Sequence, residues 1–203
     1  MAKERPKSNV VSVWLTGFLF GVLATVLCQV LIINSQHAPG MRSDSYQRKV
    51  RMLIELHEGR RNDVYADSVG VATIGVGHNL EQCATADEIA RLRSSGATEE
   101  QIERWLTEDI ANAERELDRV FGSEQWYQNL SDNRRVVLVD MCFNLGLTRL
   151  RKFERMFGAL RSGDFEAAAV EMLDSHWANQ VGERAIRLSE MMRFDCYLHP
   201  KIA

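Results

Sequence analysis

The sequence predicts an α+β domain, with a small hairpin-bearing lobe and a larger helical lobe, preceded by one apolar N-terminal helix. Three observations predict it. Apolar residues follow helical spacing towards His57; two short strand-like runs, Val64-Tyr65 and Val71 to Val76, flank turn residues; and helical patterns dominate from Asp132 to Met192. No internal repeat or low-complexity tract interrupts this order. A chain of 203 residues, 45% hydrophobic and 26% charged, has material for one two-lobed domain and an appendage. The net charge of −3 points to no polyanionic partner, so nucleic acid is not expected. Arg134, Arg135, Arg149, Arg151, Lys152 and Arg155 cluster in sequence and read as a solvated helical face.

The elements follow in chain order. Residues 1–9 carry Lys3, Arg5 and Lys7, and residues 10–34 carry no charge and are long enough at helical rise to cross a bilayer core of roughly 30 Å. The positive flank sets the N-terminus in the cytoplasm, so the run reads as an uncleaved signal anchor with the rest of the chain in the periplasm. A cleaved signal peptide is the rival, but the run exceeds the usual apolar region of about 7 to 15 residues and no clear A-x-A site follows it. Pro39, Gly40, Ser35 and Ser43 make residues 35–45 a flexible linker, which leaves 46–203 as the folded domain.

Within that domain, Val50, Leu53, Ile54 and His57 share a helical face, and Gly59 is a C-terminal stop. A helix spans Ala86 to Arg93. Thr98, with Gln101 completing a capping-box pattern, opens a longer one in which Ile102, Leu106, Ile110, Ala113 and Leu117 recur until Gly122. Further apolar stripes cover Val136–Phe143, Phe153–Leu160 and Phe165–Leu173.

The chemistry concentrates between His57 and His78, in HEGRRNDVYADSVGVATIGVGH. Glu58 closes the first helix, Asp67 follows in the hairpin, and Thr73 precedes an Ile-Gly-Val-Gly-His turn. A pair of carboxyls suits cleavage of a glycosidic bond, where one protonates the leaving oxygen and the other activates water or stabilises the sugar cation. The negative end of the helix dipole would raise the proton affinity of a glutamate at Glu58, as a general acid needs, while polar turn surroundings would keep Asp67 ionised.

The order Glu58, Asp67, Thr73 and then Ile-Gly-Val-Gly-His resembles the catalytic segment of the T-even phage lysozyme family. The resemblance extends through Asn133-Arg134-Arg135, Met141 to Gly146, Ser175 to Gln180 and Glu183 to Arg187, and so covers the chain from about residue 45 onward. It implies a lysozyme-like two-lobed fold and an inverting muramidase that cuts the β-1,4 bond after N-acetylmuramic acid in peptidoglycan. Glu58 would be the general acid, Asp67 would orient or activate the water, and Thr73 would help hold that water. Arg184 matches the family arginine near the catalytic glutamate, and such a pair would oppose the dipole at Glu58. The same match sets Trp177 and Gln180 by the substrate cleft or its supporting core, with a sugar stacked on Trp177 as one role and core packing as the other. Phe143 and Asn144 read as core and support.

A weakly hydrophobic span with Gly17, Gly21, Thr25 and Cys28 near one face also resembles the signal-arrest-release segments of some phage endolysins, so the domain would stay tethered to the inner membrane or escape into the periplasm. Cys142 reads as a buried thiol, and whether Cys83 and Cys196 pair is open. The family's thiol-exchange control uses a cysteine where Asp67 stands, which argues against a regulatory Cys28 disulfide. His57, His78 and His176 lack metal-site spacing; no metal or cofactor is expected, and His78 reads as structural. The domain is expected to be monomeric. Two other functions compete: a lytic transglycosylase, which needs no water-positioning aspartate, and a non-catalytic membrane-anchored wall-binding protein.

Overall fold

A computed structural model describes residues 43–67 and 70–198. Residues 10–34, the expected membrane anchor, and Cys28 within them lie outside the described residues, as does most of the expected linker. Among the described residues no helix is long and apolar enough to cross a membrane.

The domain begins with helix α1, Asp44–Glu58, which takes in Asp44 and Ser45, two residues the sequence assigned to the linker. Asp44 puts a carboxylate in the first turn, where the positive end of the helix dipole stabilises it, and Tyr46 is already fully buried. Helical spacing sends Tyr46, Val50, Leu53 and Ile54 into the core. The helix ends where the sequence says it should: Gly59 has φ +74°, a conformation that costs a side-chain-bearing residue, and its N–H donates to Glu55 O at 3.0 Å.

The chain then forms a three-stranded antiparallel sheet in the order β1 (Arg61–Ala66), β2 (Ala72–Gly75), β3 (His78–Asn79). Tyr65 pairs with Thr73 and Ala66 with Ala72, while Arg61 pairs with Gly75, so β1 carries an irregularity between Arg61 and Tyr65. The first two strands are the expected hairpin. The third was not anticipated, since two residues are too few to show a period of two.

Helices supply the rest. Short α2 (Leu80–Cys83) and then α3 (Ala86–Ser95) follow the sheet, and α4 (Glu99–Phe121) runs beside β2 and β3. Both α3 and α4 start with complete capping boxes, Thr85 with Glu88 and Thr98 with Gln101, which satisfy backbone donors that the first turn leaves unpaired. After α5 (Gln125–Gln128) comes α6 (Asp132–Leu145), packed against α1 and α4. Arg135 to Cys142 are all buried in α6. A helix covered on every side needs no polar face, which is why this segment shows no amphipathic stripe. Then α7 (Leu147–Leu150), α8 (Glu154–Ser162), α9 (Phe165–Leu173), α10 (His176–Val181) and α11 (Glu183–Phe194) complete the domain, with α9 against α8 and α11, and α11 also against α6. A mostly helical body with one small antiparallel sheet is the α+β class expected.

The basic cluster departs from its expected solvated face at two positions. Arg135 is buried, donates to Tyr127 O at 2.6 Å and lies 4.2 Å from the centre of the Tyr127 ring. Arg134 lies 3.5 Å from the centre of the Phe165 ring and donates to Met192 O at 2.8 Å. Both sit at the start of α6, where neighbouring helices close over the guanidinium groups and carbonyls supply their partners.

The burial pattern ranks two substitutions in α4. Leu106, 1% exposed, should cost about 2–5 kcal/mol when cut to alanine, because a cavity opens where no side chain can follow. Thr98→Ala should cost about 1 kcal/mol through loss of the cap. Urea unfolding of the two variants checks the order, and an equal loss would contradict it.

Candidate active site

Glu58 stands at the last position of α1 with its side chain 20% exposed, enough to reach solvent on one side. The other side is clamped. Arg184, on the first turn of α11, donates from Nη1 to Glu58 Oε1 at 2.6 Å. The same guanidinium donates from Nε to Asp140 Oδ1 at 2.8 Å and from Nη2 to the Asp140 carbonyl at 3.3 Å. Asp140, 1% exposed in the middle of α6, is also 2.8 Å from His57 Nδ1 through Oδ2. Three helices therefore meet in one chain of charges that ends on Glu58. Burial disfavours the charge on Arg184, but the Asp140 and Glu58 carboxylates outweigh it and its pKa lies above the usual guanidinium value.

The sheet supplies the opposite wall. Gly77 has φ +71°, and a methyl group there would come within 3.3 Å of Glu58 Oε2 and 3.4 Å of the Phe143 ring. The turn before β3 thus passes close to the acid and to the Phe143 ring, and its left-handed backbone favours glycine.

Asp67 begins the loop after β1. Its backbone N–H donates to Val71 O at 3.0 Å and its Oδ1 accepts from the Val71 N–H at 2.8 Å, so the side chain holds the hairpin loop. Thr73, buried on β2, donates its hydroxyl proton to the same Val71 carbonyl at 3.0 Å. That leaves the Thr73 oxygen as an acceptor for any further partner. Tyr65, opposite Thr73 on β1, was missed by sequence reasoning. Its hydroxyl pKa is raised, first by burial and then by the Glu58 carboxylate, with Asp67 adding to the effect, so one side chain lies in the field of both acids.

The remaining expected residues divide. Trp177 is 4% exposed, donates from Nε1 to Asn144 Oδ1 at 2.9 Å and meets Phe153 edge-on at 5.9 Å between ring centres. It lies in the core with its one donor spent on Asn144. Asn144 thus fixes the Trp177 ring through its side-chain oxygen. Gln180 is exposed on α10. His78 is buried, paired with Asp109 at 2.7 Å and stacked on Trp105 with ring centres 4.8 Å apart. Cys83, Cys142 and Cys196 are free thiols, so Cys83 and Cys196 do not pair. Cys142 is buried as expected, and burial first, then the nearby Glu116 carboxylate, pushes its thiol up to about 12.

Asp140 and His57 were also missed as members of the site. A signal for Asp140 was present: one carboxylate inside the apolar run Val136 to Phe143 must find a partner, because an unpaired buried charge is costly.

A helix-terminal glutamate held by a buried arginine, beside a small sheet whose loop carries a second carboxylate, defines a domain of the lysozyme type. The phage lysozyme family model matches residues 55–191, and the chain belongs to that family. It is 26% identical over 159 residues to the pre-baseplate central spike protein Gp5 of Enterobacteria phage T4, an alignment that covers 72% of this chain and 28% of that protein. It is 22% identical over 150 residues to probable T4-type lysozyme 2 of Dictyostelium discoideum, covering 67% of this chain and 88% of the relative. Probable T4-type lysozyme 1 of the same organism is 22% identical over 153 residues, covering 68% and 90%.

Gly77→Ala tests the close approach of turn and acid. It should lower stability by about 1–2 kcal/mol from the positive φ, and the new methyl would press on the Glu58 and Phe143 side chains. An unchanged urea midpoint would contradict the geometry.

Proposed function

We propose that this protein is a membrane-anchored phage endolysin, an N-acetylmuramidase that hydrolyses the β-1,4 bond between N-acetylmuramic acid and N-acetylglucosamine in bacterial peptidoglycan and so lyses the host. The observation that carries this reading is the Arg184 clamp on Glu58: a carboxylate fixed on one oxygen and open to solvent on one side is placed to serve a substrate. Family membership supplies the substrate class.

Glu58, protonated on Oε2, the oxygen that Arg184 does not hold, acts as the general acid and delivers that proton to the leaving glycosidic oxygen. Asp67, anchored by the Val71 N–H through Oδ1, orients or activates the hydrolytic water and stabilises the positive charge that develops at the sugar carbon. Thr73 accepts a hydrogen bond from that water, since its own proton is committed to Val71 O. Attack from the face opposite the leaving group inverts the anomeric carbon. Residues 10–34 hold the domain at the inner membrane with the enzyme in the periplasm, permanently or until the span is released.

Full-length protein, digesting purified peptidoglycan, gives a direct test by mass spectrometry of the products. Reducing N-acetylmuramic acid ends are expected, and Glu58→Gln should lower their yield at least a hundredfold because an amide cannot supply the proton. Anhydromuramic ends would instead mean a lytic transglycosylase. A folded Glu58→Gln variant with undiminished turnover would remove Glu58 from its role.

A further inference from the structure

The cavity of about 550 Å³ among the described residues that is lined by His78, Cys83, Glu88, Arg91, Arg104 and Trp105 includes none of Glu58, Asp67 and Thr73. At its wall three side chains line up. Cys83 Sγ is 3.1 Å from His78 Nε2, and His78 Nδ1 is 2.7 Å from Asp109 Oδ2. In the tautomer that carries its proton on Nδ1, towards Asp109, His78 presents Nε2 as an acceptor to the thiol. The ring cannot swing away, because it is buried and stacked on Trp105. Cys83 itself is exposed.

The geometry points to Cys83, with His78 as its base and Asp109 as the orienting carboxylate, as a reactive thiol site that takes small disulfides and becomes S-thiolated. Burial, with Asp109, Glu88 and Glu108, holds the Cys83 thiol above its usual range, so without a base it would be a poor nucleophile. His78 offers an acceptor for the thiol proton at 3.1 Å, with Asp109 on the far side of its ring. The choice of electrophile follows from the other neighbours of the sulfur. Asn79 O at 3.2 Å and Leu80 O at 4.0 Å are acceptors beside the sulfur, and among the described residues no N–H donor is placed there for the oxyanion of an acyl-transfer step, whereas disulfide exchange asks only for transfer of the thiol proton and room for the partner sulfur.

In the exchange, Cys83 Sγ attacks one sulfur of the disulfide, a new S–S bond forms and the old one breaks. The electron pair leaves with the departing sulfur, which takes the proton that His78 Nε2 received from Cys83. Cys83 is oxidised to a mixed disulfide, half of the reagent is reduced to a thiol, and no further oxidant is required. The retained half occupies the cavity, beside Arg91 and Arg104, which lie 3.8 and 3.9 Å from Glu88 and Glu108 of the same lining.

The site is independent of the muramidase reading and is tested without peptidoglycan. The full-length chain is exposed to glutathione disulfide at neutral pH, quenched in acid and mapped by peptide mass. Glutathione is expected on Cys83 before the half-buried Cys196 and the buried Cys142, and faster than on Cys83 of the urea-unfolded chain. His78→Asn and the milder Asp109→Asn, with folding checked by circular dichroism, should each slow labelling about tenfold or more. Labelling of another cysteine first, native Cys83 reacting no faster than unfolded, or a folded Asp109→Asn variant reacting at the parent rate would each overturn the assignment.

Discussion

The carboxylate of Asp140 is the constraint on which the rest depends. A charge buried in a helix covered on all sides is tolerated only with close partners, and α6 finds them on two other helices, Arg184 on α11 and His57 on α1. The apolar core fills the space between these helices, but such packing is nondirectional. The Asp140 network sets one alignment of α1, α6 and α11, since a turn's slip of any of them would leave Asp140 or Arg184 unpaired.

That alignment reaches the site because Arg184 has more than one carboxylate to serve. Nε and Nη2 are taken up by Asp140, which leaves Nη1 for Glu58 and fixes it on one oxygen. The planar fork of a guanidinium suits the task, and a lysine at this position could not hold two carboxylates in defined directions. The sheet then works from the other side. Gly77 brings backbone against Glu58, and the Val71 carbonyl collects both the Asp67 N–H and the Thr73 hydroxyl, so the second acid and the hydroxyl are held by one hairpin.

Much of this was legible from the residues. The end of α1 at Glu58 follows from Gly59, the hairpin from two strand-like runs about a turn, and the start of α4 from Thr98 and Gln101, because each of these signals is local. The Arg184 contact with Glu58 came through family resemblance, since no local rule ties residues 126 apart in sequence. His57 and Asp140, 83 apart, escaped for the same reason. Strand β3 was too short for its period to register, and Trp177 carried an amphipathic side chain whose role only the fold decides. Arg135 shows the limit of reading charge as exposure: its guanidinium is buried because Tyr127 offers both a carbonyl and a ring face.

The most direct test of the clamp is a double-mutant cycle between Asp140→Asn and Arg184→Gln, read by urea unfolding. If Asp140 and Arg184 hold each other as described, the two losses are non-additive, with a coupling energy of about 1–3 kcal/mol. Losses that add to within about 0.5 kcal/mol would contradict the account, because the two residues would then stabilise the domain independently.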